Sequence, residues 1–184
     1  MNLSSLVIRM PKTNKDQVSK DEMAILSELH RNPRKNIEAI AQHSGFSKQK
    51  VSRIISRLEQ NKMIWGYTAI TDENRQGLQK FMLLLKQSMK IVDKKTSEEI
   101  SLSRLEDVYS GIGITIETSY FIHGDYDWIL IFTANDLKHA KKFCSLLMTK
   151  YPGLISRYTL IQILYSPRNH YILNPNPKKL REVL

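Results

Sequence analysis

Apolar positions recur with helical spacing in two short runs between residues 36 and 61. Val51, Ile54, Ile55 and Leu58 fall at i, i+3, i+4 and i+7, which puts them on one face of a helix. Ser47 stands where an N-cap belongs, so the spacing predicts a start at Lys48. Upstream, Asn36 can cap a shorter helix whose apolar contacts come from Ile37, Ile40 and Ala41. Gly45 lies between the two, where a sharp turn favours a residue that tolerates positive φ. Together these residues predict a helix-turn-helix. A preceding helix is announced by Ser19 and Glu22 at capping-box spacing, followed by Ile25, Leu26 and Leu29, and it should end near Asn32 and Pro33.

Beyond Leu58 the period changes. Asn61 is expected in the left-handed position that ends the helix, and Ile64, Trp65, Tyr67 and Ile70 suit a connecting strand. A buried strand follows from Phe81 in FMLLLKQSM. Thr96 and Glu99 repeat the capping-box spacing ahead of Ile100, Leu102, Leu105 and Val108. After a glycine break at 111–113, ITIETSYFIH reads as a strand with Ile114, Ile116, Tyr120 and Ile122 on one face. GDYD at 124–127 is the turn into WILIFT, apolar enough to be a central strand. Leu137, Ala140, Phe143, Cys144, Leu147 and Met148 mark the buried side of another helix, stopped by Pro152 and Gly153, and ISRYTLIQIL is the last strand.

The predicted fold class is α+β. A three-helix, winged-type helix-turn-helix domain with its connecting strand spans 19–72, a polar linker 73–80, and a ferredoxin-like β-α-β-β-α-β domain 81–164. Residues 1–18 form an N-terminal extension, and 165–184 form a basic, proline-containing tail expected to run extended to Lys178. Such a sheet shows one face to its helices and needs a cover for the other; a second copy of the chain is the obvious one.

Charge narrows the choice of partner. The 184 residues carry a formal +10, which favours a polyanion. Residues 1–72 hold 12 Lys and Arg against 7 Asp and Glu, whereas 73–164 hold 12 against 10, so the middle of the chain should do something other than bind nucleic acid. The lone Cys144 excludes a disulfide framework and any CxxC pair; on an apolar helix face it reads as packing. No stretch approaches the roughly 20 apolar residues of a membrane span, and the N-terminus lacks the core of a secretion signal. A cytoplasmic protein without a cofactor, and not an enzyme, is expected.

The polar side of the second helix carries the candidate chemistry. Ser47, Lys48, Gln49, Ser52 and Arg53, with Lys50 and Arg57 toward the flanks, are side chains able to reach base edges or phosphates in double-stranded DNA. A major groove about 12 Å wide admits one α-helix. The competing reading is an ordinary solvated face, but cap, glycine and apolar seam agree with one another.

These motifs together resemble the Lrp/AsnC family of transcriptional regulators. The resemblance covers residues 19 to 164 and rests on DEMAILSEL at 21–29, IAQHSGFSKQKVSRIISRLEQ at 40–60, IWGYTAITD at 64–72 and HGDYDWIL at 123–130. It implies that the third helix reads DNA, with Lys48, Gln49, Ser52 and Arg53 toward bases and Lys50 and Arg57 toward phosphates. It further implies that the second domain makes homodimers or larger rings. A small effector, commonly an amino acid, would then bind near the turn that supplies Gly124, Tyr126 and Asp127. Departures are Lys62, where the family usually has glycine, and the longer segment from Lys90 to Gly113.

His123, Asp125 and Asp127 also invite a metal or catalytic reading, but aspartates at such a corner commonly cap the turn itself. The alternative to a sequence-specific regulator is a sequence-independent architectural DNA-binding protein without an effector.

Overall fold

The computed structural model describes residues 19–90, 93–102 and 109–184, and the chain divides into two compact units, Met1–Ala69 and Ile70–Leu184. The expected N-terminal extension, and Leu105 and Val108 of the expected helix, lie outside the described residues.

In the first unit, α1 (Lys20–Arg31), α2 (Ile37–Ser44) and α3 (Lys48–Gln60) each begin at the predicted cap. Ser19 and Glu22 complete a reciprocal capping box, Asn36 accepts from the Ala39 N–H, and Ser47 accepts from the Lys50 N–H. Such caps satisfy backbone donors that the helix itself leaves unpaired. The core comprises Ile25 and Leu29 of α1, Ile40 and Ala41 of α2, and Val51, Ile54 and Leu58 of α3. Each fully buried Ile, Leu or Val side chain contributes about 1.5–3 kcal/mol. Ile37 is largely exposed, so α2 packs through two apolar residues rather than the expected three.

The end of α3 differs from expectation. Asn61 keeps φ −78°, and Lys62 takes the left-handed conformation at φ 58°. The Lys62 N–H donates to the Glu59 carbonyl at 3.1 Å and the Met63 N–H to the Leu58 carbonyl at 2.9 Å. This is the Schellman pattern, whose geometry places the left-handed residue one position after the C-cap. Residues 64–72 join no sheet among the described residues, because the ladder of the second unit begins only at Gln79. Trp65, expected in a connecting strand, is 94% exposed.

The second unit is built on β1 (Gln79–Gln87), β2 (Thr115–Phe121), β3 (Trp128–Ala134) and β4 (Ile155–Ile163) in the order β2-β3-β1-β4, all antiparallel. The strand predicted from Phe81 thus starts two residues earlier, and a 3₁₀ turn, Glu73–Gln76, occupies the stretch read as linker. Phe81, Leu83, Leu85, Leu130 and Phe132 point into a core that also takes Phe143, Cys144 and Leu147 from α5 (Leu137–Lys150) and Ile100 from α4 (Lys94–Leu102). Phe132 stacks on Phe81 at 5.6 Å and meets Phe143 edge-on at 4.9 Å. Burial drives the Cys144 thiol up to about 11, which suits packing and leaves it unreactive.

Three details depart from the sequence pattern. The cap of α4 is Asp93, whose carboxylate accepts from the Thr96 N–H and hydroxyl, so Thr96 is a first-turn residue and not the cap. The register between β2 and β3 shifts between Ile116 and Thr118, a bulge at Glu117. Ile116 pairs with Phe132 on the core face, whereas Tyr120 pairs with Ile129 on the opposite face, so the single apolar face expected for this strand is broken. The tail folds back as a hairpin, β5 (Arg168–Asn169) with β6 (Ile172–Leu173), turning at His170 with φ 51°, and ends in a 3₁₀ turn at Pro177–Glu182. Prolines at 167 and 175 flank that hairpin rather than straightening the chain.

The face of the sheet away from the helices carries Met82, Leu84, Ile129, Ile131, Ile161 and Ile163. Ile161 is 42% exposed there. At one end of this face Lys80 is 7% exposed and is held between Glu73 and Glu117. Burial opposes its charge, but the two carboxylates outweigh burial and raise its pKa.

The left-handed lysine gives a direct test. Lys62→Gly removes the clash of a Cβ in that conformation, offset in part by the greater freedom of glycine in the unfolded chain, and should stabilise the first unit by up to about 1 kcal/mol. Denaturant unfolding measures it; Lys62→Val should be destabilising.

Candidate nucleic-acid interface and effector turn

The buried seam of α3 fixes which side chains face outward. With Val51, Ile54 and Leu58 in the core, Ser47, Lys48, Gln49, Ser52, Arg53 and Arg57 are exposed together and Lys50 is half-buried at their edge. Gly45, at φ 69° and with nothing near its Cα where a Cβ would sit, supplies the left-handed turn that swings α3 away from α2. Gln49, Ser52 and Arg53 lie opposite the seam, with Lys48 on the flank toward α2 and Lys50 and Arg57 on the flank toward α1.

The charges on that surface are not all available. Lys48 pairs with Glu38 of α2 at 2.5 Å, Lys50 with Asp21 of α1 at 2.8 Å, and Arg57 with Glu22 of α1 at 2.8 Å. The Lys50 ammonium also lies over the Phe46 ring at 3.8 Å. Arg53 has no ion-pair partner among the described residues. The acidic partners were not read from the sequence, because they sit on other helices; their only local signal was the capping role of Glu22. Glu22 itself is held below the ordinary carboxylate range, chiefly by the Ser19 N–H and hydroxyl and then by Arg57. A second link fastens α1 to α2, where Lys35 lies between Glu28 and His43. The hydrogen bond from Lys35 pulls the Glu28 pKa down, against a smaller opposing effect of burial.

The turn at 124–127 is satisfied within the second unit. Asp127 Oδ2 accepts from the Gln87 N–H at 2.7 Å and faces the Lys86 ammonium at 3.4 Å, which together lower its pKa, the backbone bond most. Asp125 pairs with Arg157 at 3.0 Å. The same guanidinium lies 5.0 Å from the Tyr126 ring, and the Tyr126 hydroxyl shares a hydrogen bond with Thr159 at 2.7 Å. Gly124, Tyr126 and Asp127 are thus at one end of the sheet, beside the open face. Arg157 and Thr159 join them from β4, more than thirty residues away, which no local pattern signals. Among the described residues, no group of three or more His, Cys, Asp or Glu side chains is placed to hold a metal ion, and Asp125 and Asp127 are tied to cations and backbone instead. No helix of the described residues is long and apolar enough to cross a membrane. A cavity of about 620 Å³ lies elsewhere in this unit, between the 70–74 turn, Lys80, the end of β4 and the tail.

Residues 22–64 match the family model described as winged helix-turn-helix DNA-binding. An AsnC family transcriptional regulator from Agrobacterium tumefaciens superposes with a TM-score of 0.64 at 16% identity, covering 85% of this chain and 96% of that one. LrpC of B. subtilis gives 0.57 at 18% identity, over 82% of this chain and 96% of its own. A transcriptional regulator from Neisseria meningitidis, solved as a complex with L-Met, gives 0.61 at 14% identity, over 88% and 98%. No curated protein sequence is significantly similar to this one. The chain has the fold of the Lrp/AsnC regulators, a winged helix-turn-helix unit followed by an antiparallel four-stranded sheet with its helices.

The link between α1 and α2 should show in acid. Glu28 has a folded pKa below its unfolded value, so its contribution is present above the unfolded pKa and is lost as pH falls through the folded one. Denaturant midpoints recorded from pH 6 to pH 3 should fall below roughly pH 4. The gap between wild type and Glu28→Gln should close over the same range; a constant gap would contradict the assignment.

Proposed function

We propose that this protein is a sequence-specific DNA-binding transcriptional regulator that works in the cytoplasm, assembles through its second unit and responds to a small effector. The observation that carries the reading is α3 itself: a capped helix whose apolar seam is spent on its own core and whose opposite face holds Arg53 exposed and unpaired among the described residues, beside Gln49 and Ser52. Lys48, Gln49, Ser52 and Arg53 would contact base edges, while Lys50, Arg57 and the Ser47 end of the helix hold phosphates. Arginine reads guanine through two parallel hydrogen bonds, which needs a guanidinium free to turn into the groove.

Assembly is supported by the open face of the sheet, where six aliphatic side chains from three strands lie together. A second copy laid on that face would give two reading heads, and hence a roughly palindromic site with half-sites a helical turn or a multiple apart. The effector reading rests on the turn at Gly124, Tyr126 and Asp127. Its support is the likeness in fold to the Neisseria regulator solved with L-Met, together with a carboxylate, Asp127, that already faces one ammonium group, Lys86 at 3.4 Å, and could exchange it for a ligand's. An effector acts only through its differential affinity for the two states of the assembly.

Arg53→Ala tests the central assignment. Against a set of duplexes differing at single base pairs, it should lose about 1–3 kcal/mol on the preferred site and lose discrimination at one position only. Equal weakening on every duplex would remove Arg53 as a base reader and favour the architectural alternative.

A further inference from the structure

Three of the four cations of the reading helix are already engaged, and what engages them resembles the partner they would meet on DNA. Glu38 holds Lys48, Asp21 holds Lys50 and Glu22 holds Arg57, each within 2.8 Å. These carboxylates come from α1 and α2, so they are fixed by the same core that fixes α3. All three pairs are solvent-accessible to some degree; the Lys48 and Glu38 side chains are both more than half exposed. Pairs of this kind are worth little to stability, at most about 1 kcal/mol each. Their arrangement around one polar face therefore calls for another account.

Resting on the DNA-binding reading above, we propose that Asp21, Glu22 and Glu38 are built-in competitors for the phosphate backbone, which set how strongly the protein binds DNA of any sequence. A lysine that leaves a carboxylate for a phosphate exchanges one anion for another, and the vacated carboxylate recovers a cation from solution. The net gain from counterion release is accordingly smaller than for a free lysine. Each carboxylate also remains beside the incoming strand and repels it. Arg53 stands outside this exchange and Lys48, assigned to base edges, enters it only through Glu38, so the cost falls chiefly on the phosphate contacts of Lys50 and Arg57. The result is a head that holds random DNA weakly and depends on its base contacts to stay bound.

The test uses the full chain with Asp21→Asn, which frees Lys50 on the phosphate side; Glu38 is left in place because its partner Lys48 is assigned to base edges. Glu22 is left in place because it also completes the α1 capping box. Affinity for a random-sequence 30-base-pair duplex and for the tightest duplex recovered by selection is measured over a range of salt. A control, Glu98→Gln, adds the same charge to the second unit, where Glu98 pairs only weakly with Lys94 at 3.7 Å. Relative to this control, the variant should bind both duplexes about two- to fourfold more tightly near 0.1 M salt, by the same factor on each. Its salt slope should steepen by up to about 0.9 for each cation released. Tightening no greater than the control, an unchanged slope, or tightening on one duplex alone would overturn the proposal while leaving DNA binding intact. If neither wild type nor variant binds either duplex, the DNA-binding reading fails and this inference fails with it.

Discussion

One helix has to satisfy two solvents. Among the described residues of the first unit, α3 supplies three of the seven buried side chains, so the helix cannot roll without opening that core. This constraint decides everything on the outer face: which cations lie together, that Arg53 is exposed, and that Asp21, Glu22 and Glu38 are within reach of the rest. The Ser47 cap and the left-handed Gly45 fix where the helix begins, and the Schellman turn at Lys62 fixes where it stops. Packing, in this protein, is what aims the chemistry.

The second unit solves a different problem. A four-stranded sheet with its helices on one side leaves a second apolar face, and here that face is aliphatic across three strands. The bulge at Glu117 adds to it by turning Tyr120 outward while sending the acid itself to Lys80. At one end of the face the 124–127 corner is braced by Gln87, Lys86, Arg157 and Thr159. Such bracing means that any ligand there would compete with bonds already made.

Much of the fold was legible because its determinants are local. Ser19 with Glu22, Asn36 and Ser47 each act on a backbone N–H three residues away, so spacing alone reveals them. The same holds for the seam of α3 and the apolar run of β1, whose alternation between two faces the run itself does not reveal. What spacing missed depends on register or on distant partners. A bulge of one residue reversed Tyr120; Lys62 accepted a conformation normally left to glycine; and the tail paired with itself instead of running on. In the candidate interface the side chains were legible but their state was not, since an ion pair between helices leaves no trace in the spacing of either one.

Whether α3 selects a sequence is decided by protection of DNA from around the protein's own gene, by the purified full chain at fixed salt, against rising amounts of unrelated duplex. A sequence-selective helix leaves a bounded footprint that survives about a thousandfold excess of competitor. A complex lost in simple proportion to added competitor would contradict such selectivity.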